Sequence, residues 1–358
     1  MITPRDSSFM EYADEFLELV LRERECHNLW DLAKMVHRPP FPLAPVIVND
    51  YRAMTEAERT AIISSFSSCG AAHVIASNPE DKPSGAHPLF DPCAQLGGAL
   101  NLQHPFPFPL EGYSEAVKRF GKNDGTFKVY HLPKPINGAT YREIAETSEK
   151  FDVHVDGLGF SAPLFDGFGF LYDMFAIGAA LAEEDMVAFR HLFLPDAFAT
   201  IRPRGKGAIK VVSPVFYLDE LGRPHVHFRK GSGEYETHWR TGCPALDRAR
   251  RYLHRYTEPF SSGSYFVPFT RPGCAVICRN RDIAHGRTDF VDGALSHQRR
   301  VLSRKWFMTS KDAMVYKHVP GLAMRSDIVG LAPELFGTER LSGQWLYNRD
   351  QDRNIQVS

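Results

Sequence analysis

Short runs of alternating apolar and polar residues dominate the chain from Phe127 to Phe307, and they constrain the fold more than any other feature. Strands are predicted at 127–132, 151–156, 168–175, 198–203, 208–217, 224–229, 273–279 and 299–308. Asp219-Glu220-Leu221-Gly222-Arg223 joins two of them as a hairpin-like turn. Helical segments interrupt at about 179–193 and 245–257, the second opening on Pro244. Many short strands with few helical insertions imply one antiparallel barrel or sandwich with helices packed outside.

The preceding residues read differently. Residues 9–25 set Phe9, Phe16, Leu17, Leu19, Val20 and Leu21 among charges, as in a surface helix, and Pro39-Pro40-Phe41-Pro42 ends any helical pattern. Thr55-Glu56-Ala57-Glu58 is a capping-box pattern ahead of a helix to about Ser68, and residues 70–76 look like a strand. From Asp81 to Pro109 the chain is rich in Pro, Gly and Phe, which suggests a long ordered loop that shapes specificity. There is no internal repeat or linker. The expectation is one domain over 1–358: a helical and loop flank (1–120), a β core (121–310) and a C-terminal extension (311–358).

Charge and cysteine content narrow the function. The 42 basic and 43 acidic residues nearly cancel without a long run of either sign, which excludes the basic footprint of a nucleic-acid or anionic-membrane surface. Six cysteines show neither C-x-x-C nor disulfide-framework spacing, so free thiols in a reducing cytoplasm are expected. No apolar run is long enough to span a bilayer.

Within the strand region, Phe151-Asp152-Val153-His154-Val155-Asp156-Gly157 reads as a strand entering a glycine turn. Positions two apart share a face, so His154 and Asp156 project together. An imidazole beside a carboxylate is half of a metal site, and His285, in Asn280-Arg281-Asp282-Ile283-Ala284-His285-Gly286-Arg287, is placed to complete it. Two imidazoles and one carboxylate cover one face of Fe(II) and leave positions for a co-substrate and O₂. A lone His-x-Asp carries little weight, but the segment after His285 adds to it. In Gln298 to Phe307, Arg300, Leu302, Arg304 and Trp306 share a strand face. Two arginines pointing into a barrel each need an anion, and a guanidinium holds a carboxylate through two parallel hydrogen bonds. A solvated edge strand is the bland alternative, and it suits Arg299 and Lys305 better than Arg300 and Arg304.

His154-Val155-Asp156, the Asn280-Arg281-…-His285-Gly286-Arg287 segment and Arg300-x-Leu302-x-Arg304 resemble the Fe(II)/2-oxoglutarate-dependent oxygenases. Within them the likeness is to the clavaminate synthase-like group of the taurine dioxygenase superfamily, which includes arginine and asparagine hydroxylases. It runs from roughly Phe120 to Phe307. The resemblance implies a double-stranded β-helix, a jelly-roll or cupin-like barrel, with His154, Asp156 and His285 as Fe(II) ligands. It also implies Arg300, fifteen positions after His285, as the clamp for the far carboxylate of 2-oxoglutarate, with Arg299 the fallback. Arg304 would take the carboxylate of the substrate. The implied reaction uses O₂, releases succinate and CO₂, and hydroxylates or desaturates a C–H bond of a free amino acid or derivative.

There are departures from the family pattern. The arginine-hydroxylase branch carries Glu where this chain has Asp156, and halogenating relatives lack that carboxylate. A Thr or Ser that helps hold 2-oxoglutarate is not placed. Where arginine hydroxylases carry acidic residues, this chain reads Pro224-His225-Val226-His227-Phe228-Arg229. Arginine is therefore a poor substrate, and Arg229 is a candidate contact for an acidic or polar one, or a surface residue. The rival site is His225 with His227, in a cupin-type or non-catalytic metal-binding barrel. Glu234 lies seven positions beyond His227, farther than that motif requires. His73, His87, His104 and His131 lack partners at ligand spacing, and Cys274 and Cys278 share a strand face as buried apolar filler.

Overall fold

The computed structural model describes residues 4–77, 104–105, 126–130, 151–154, 163–165, 169–204, 207–219, 221–231, 236–267, 274–287 and 301–308. In chain order, α1 (Pro4–Glu23) and α2 (Leu29–Ala33) precede β1 (Phe41–Pro42), β2 (Pro45–Val48), α3 (Glu56–Cys69) and β3 (Ala71–Ala76). Then come β4 (His104–Pro105), β5 (Thr126–Tyr130), β6 (Phe151–His154), β7 (Pro163–Phe165) and β8 (Phe170–Asp173). Helices α4 (Met174–Glu184) and α5 (Met186–His191) lead into β9 (Phe198–Arg204), β10 (Gly207–Ser213), β11 (Phe216–Leu218), β12 (Pro224–Val226) and β13 (Glu236–Trp239). After α6 (Pro244–Tyr256) follow β14 (Tyr265–Phe266), β15 (Cys274–Arg279), β16 (Ile283–Arg287) and β17 (Val301–Met308).

Two large sheets result. One runs β1-β14-β8-β16-β6; the other runs β2-β3-β15-β7-β17-β4, with β5 also on β17. Each has one face covered by helices. On the first, Phe170, Tyr172, Phe266 and Ala284 pack into the apolar cluster built by α1, α2, α4, α5 and α6. On the second, Ala72, Val74, Ala275 and Ile277 pack against Ile62 and Phe66 of α3. The opposite faces look toward one another: Ile283 of the first sheet lies where a Cβ on Gly70, at the root of β3, would meet it at 2.6 Å. Only three residues, Asn280 to Asp282, carry the chain from β15 in one sheet to β16 in the other. A three-stranded sheet, β10-β9-β13, and the hairpin β11-β12 lie outside this pair.

The sequence explains most boundaries. Thr55 caps α3 through a complete capping box with Glu58, and Gly70 ends it at φ 68. Asp173 ends β8 one residue before α4, because its carboxylate accepts from the amides of Phe175 and Ala176. The helix foreseen at 179–193 therefore starts earlier and divides at Asp185, which caps α5 through Ala188. Likewise the single strand expected at 208–217 is two, split at Pro214, which has no amide to give a ladder. Strand β16 was not foreseen as a separate element. The strands β2 and β3, from the segment before residue 120, belong to the second large sheet.

Candidate metal centre

Strand β16 is an interior strand of its sheet and buried along its whole length, with β8 on one side and β6 on the other. Its ladder to β6 pairs His285 with His154, and its ladder to β8 pairs His285 with Leu171. Leu171 is paired in turn with Tyr265, and Tyr265 with Phe41. One row of register positions thus crosses the sheet: His154, His285, Leu171, Tyr265, Phe41. It lies on the inward face, because Ala284 and Tyr172, the alternate positions, pack into the helical cluster. His285 is 0% exposed. Positions paired directly across an antiparallel ladder have Cβ atoms about 4.5–5.5 Å apart, the span two imidazoles need to share one metal. The β6–β16 register shifts between His285 and Arg287, with three residues of β6 set against two of β16, so a bulge lies beside the pair.

The second sheet offers a matching row. Ala275 and Ile277 face α3, so Cys274, Val276 and Cys278 face inward, and Cys274 and Cys278 are buried as foreseen. Cys278 pairs with Ala71 and Leu164, and Leu164 pairs with Trp306. The register therefore assigns the inward positions of β17 to Leu302, Arg304 and Trp306, with Arg304 opposite Phe127. Asp156, Arg299, Arg300, Glu234, His87, His131 and the 81–109 segment apart from β4 lie outside the described residues; within that segment, expected as a loop, His104 and Pro105 form a short strand paired with Met308 and Phe307. Among the described residues no three His, Cys, Asp or Glu side chains form a metal-binding group.

The rival pair is committed elsewhere. Ser213 Oγ donates to the Pro214 carbonyl (2.8 Å) and accepts from His227 Nδ1 (2.6 Å), while Thr200 Oγ1 lies 3.2 Å from His227 Nε2. Both nitrogens of His227 are used, leaving neither for a metal. Burial, with help from the charge of Arg229, pushes its pKa down to about 3, so the ring is neutral. His225 donates from Nε2 to Asp219 Oδ2 at 3.1 Å and stacks on Tyr217. Burial opposes the charge of Asp219, but His225 and Arg223 outweigh it and hold the carboxyl at about 2. His225 keeps only Nδ1 outside these bonds, so the two histidines do not present a ligand pair. His73 is also buried, with Nδ1 3.2 Å from the Leu43 carbonyl oxygen. Arg229 is buried, not a surface residue, and sits beside His227.

No motif or spacing in the sequence gives Asp282, Arg24 or Asp173 a role at the site. The structure joins them at the β15–β16 corner. Arg279 grips Asp282 through Nε (2.6 Å) and Nη2 (2.7 Å), and Arg24 hydrogen-bonds Asp282 and forms an ion pair with Asp173 at 2.9 Å. Burial works against the charge of Asp282, yet Arg279 and then Arg24 overcome it and hold the carboxyl at about 2. Burial raises Asp173 against the pull of Arg24, and the neighbouring charge of Asp282 adds to that rise. Asp173 was legible as a helix cap; contacts across more than 250 residues of sequence were not.

No family model matches the chain, and no curated protein matches it. Solved structures do. A variant of the non-haem iron oxygenase OrfP bound to (3S)-hydroxy-L-arginine matches at TM-score 0.50 and 14% identity, over 88% of this chain and 95% of that one. An asparagine oxygenase in complex with Fe(II), 3-hydroxyasparagine and succinate matches at 0.48 and 16%, over 86% and 96%. PvcB from Pseudomonas aeruginosa matches at 0.44 and 12%, over 79% and 89%. At these identities the likeness is one of fold, and the OrfP comparison carries it.

Proposed function

We propose that this protein is an Fe(II)- and 2-oxoglutarate-dependent dioxygenase, built as a single double-stranded β-helix domain, that hydroxylates or desaturates a small polar, amino-acid-like substrate. One observation carries the reading: the ladder sets His285 opposite His154 on the inward face, with Asp156 two positions farther along the chain. Two imidazoles and a carboxylate so ordered fit Fe(II) and leave sites open to other ligands. The fold shared with OrfP supports this.

His154, His285 and Asp156 would hold the metal. Bound there, Fe(II) supplies O₂ activation coupled to decarboxylation of 2-oxoglutarate to succinate and CO₂. The chain's own part is orientation and exclusion of water. Arg300, or Arg299 in its place, would hold the far carboxylate of 2-oxoglutarate. Arg304, assigned to an inward position two residues before Trp306, would hold the substrate carboxylate, and Arg229 a second polar group. Burial of His285 and Leu171 keeps the β8–β16 side of the site dry. The loop 81–109 shapes specificity. Among the described residues Cys26, Cys69, Cys243, Cys274 and Cys278 form no disulfide, which fits a reducing cytoplasm, and no helix there is long and apolar enough to cross a membrane.

The test is succinate release from 2-oxoglutarate under air with Fe(II), screened over free amino acids and their N-acyl derivatives. The reading requires at least one compound to raise succinate with matching loss of that compound, and His154→Ala to abolish both. Succinate formation that survives His154→Ala refutes the site.

A further inference from the structure

We infer that Arg24, beyond the end of α1, is a positioning residue for the candidate metal ligand His285; this rests on the iron-site reading above. Arg24 acts on the strand ends through two carboxylates. Its guanidinium turns inward, bonding Asp173 at the end of β8 and Asp282 at the start of β16. Both carboxylates are buried, Asp282 completely. Side by side they repel; Arg279 hydrogen-bonds Asp282 and reaches Asp173 through its charge alone. Among the described residues Arg24 is the cation in direct contact with both.

The place matters because of the register. Asp173 is paired with Ile283 on the β8–β16 ladder, and the next inward rung is Leu171 with His285. Around that first rung the backbone is tied on both sides. The Met174 amide donates to the Asp282 carbonyl at 2.9 Å, and the Val226 amide to the Arg281 carbonyl at 2.9 Å. Arg281 donates to the Pro224 carbonyl at 3.0 Å and pairs with Glu23, the residue before Arg24. The corner thus fixes the residue from which β16 counts its register. A one-residue slip would carry His285 to the helix-covered face. Without Arg24 the end of β8 loses its ionic tie to the start of β16, one inward rung from His285, and the placement of His285 opposite His154 loosens.

The experiment compares Arg24→Gln with Val20→Ala. Val20 is buried on the same helix within the apolar cluster, so its truncation destabilises α1 without touching either carboxylate. The purified full-length proteins are titrated anaerobically with Co(II), and the d–d spectrum is recorded at saturation. Arg24→Gln is expected to weaken Co(II) binding at least tenfold and to shift the band positions of the saturated protein. Val20→Ala should stay within twofold with an unchanged spectrum. Should Arg24→Gln fail to fold by circular dichroism, Arg24→Lys replaces it, with an expected loss of about threefold and the same direction of shift. A saturated spectrum identical to wild type in the folded Arg24 variant, with affinity no worse than Val20→Ala, overturns the inference alone. A wild-type protein that binds no Co(II) overturns the iron-site reading together with it.

Discussion

Gly70→Ala tests the junction between the two sheets. Gly70 has φ 68, and a Cβ there would meet Ile283 Cδ1 at 2.6 Å and Cγ1 at 2.7 Å. Two costs combine. The left-handed backbone disfavours any Cβ by about 1–2 kcal/mol. Overpacking against Ile283 adds about 1–3 kcal/mol, since β16 is buried and paired on both sides. The sum is about 2–5 kcal/mol. Gly222→Ala separates the two costs, because Gly222 has φ 71 with nothing within 4 Å of the added atom. It should lose only the backbone part, about 1–2 kcal/mol. The assay is urea unfolding of both variants, of Ile283→Val, and of Gly70→Ala combined with Ile283→Val, which removes the atom met first. Measured against Ile283→Val alone, Gly70→Ala should cost less than it does in the wild type, though not nothing, because Cγ1 remains. Equal losses for Gly70→Ala and Gly222→Ala, with no recovery from Ile283→Val, would show that β16 does not approach the second sheet as described.

Other expectations follow from the same structure. Thr55→Ala removes the α3 capping box and should cost about 1 kcal/mol in urea unfolding. Asp282→Asn leaves Arg24 and Arg279 without their shared charge and should cost about 3–5 kcal/mol. Because the Asp282 carboxyl is held at about 2, below its ordinary 3.8, its stabilisation is complete above pH 3.8. That contribution should fall away as pH drops toward 2, and Asp282→Asn should flatten this limb. His227, lowered from 6.5 to about 3, also stabilises most above its ordinary value. Its contribution should decline as pH falls from 6.5 toward 3, and a urea series in which His227→Gln keeps the full slope between pH 6.5 and pH 4 would contradict that.

What the sequence made legible follows from range. Capping chemistry is local, so Thr55 with Glu58 announces α3 within four residues. Alternation located β6, where Phe151 and Val153 alternate with Asp152 and His154. It failed for β16, whose five residues are buried on both faces and include a histidine, a glycine and an arginine, so no two-faced pattern exists to read. His285 was still found, from its spacing to the motifs around it rather than from its strand. The opposition of His285 to His154 depends on pairing across more than a hundred residues, which no local pattern contains. The same holds for Arg24 with Asp173 and Asp282. For His225 and His227 the same-face spacing suggested a ligand pair, and only the hydroxyls of Ser213 and Thr200 and the carboxylate of Asp219 show why they are not one.

The most direct test is an anaerobic titration of metal-free protein with Fe(II) and then 2-oxoglutarate, watching for the visible metal-to-ligand charge-transfer band. The account predicts a saturable band in the wild type. It should vanish in His285→Ala and Asp156→Ala and require much more 2-oxoglutarate in Arg300→Ala. Absence of the band in folded wild-type protein, or an undiminished band in His285→Ala, would contradict it.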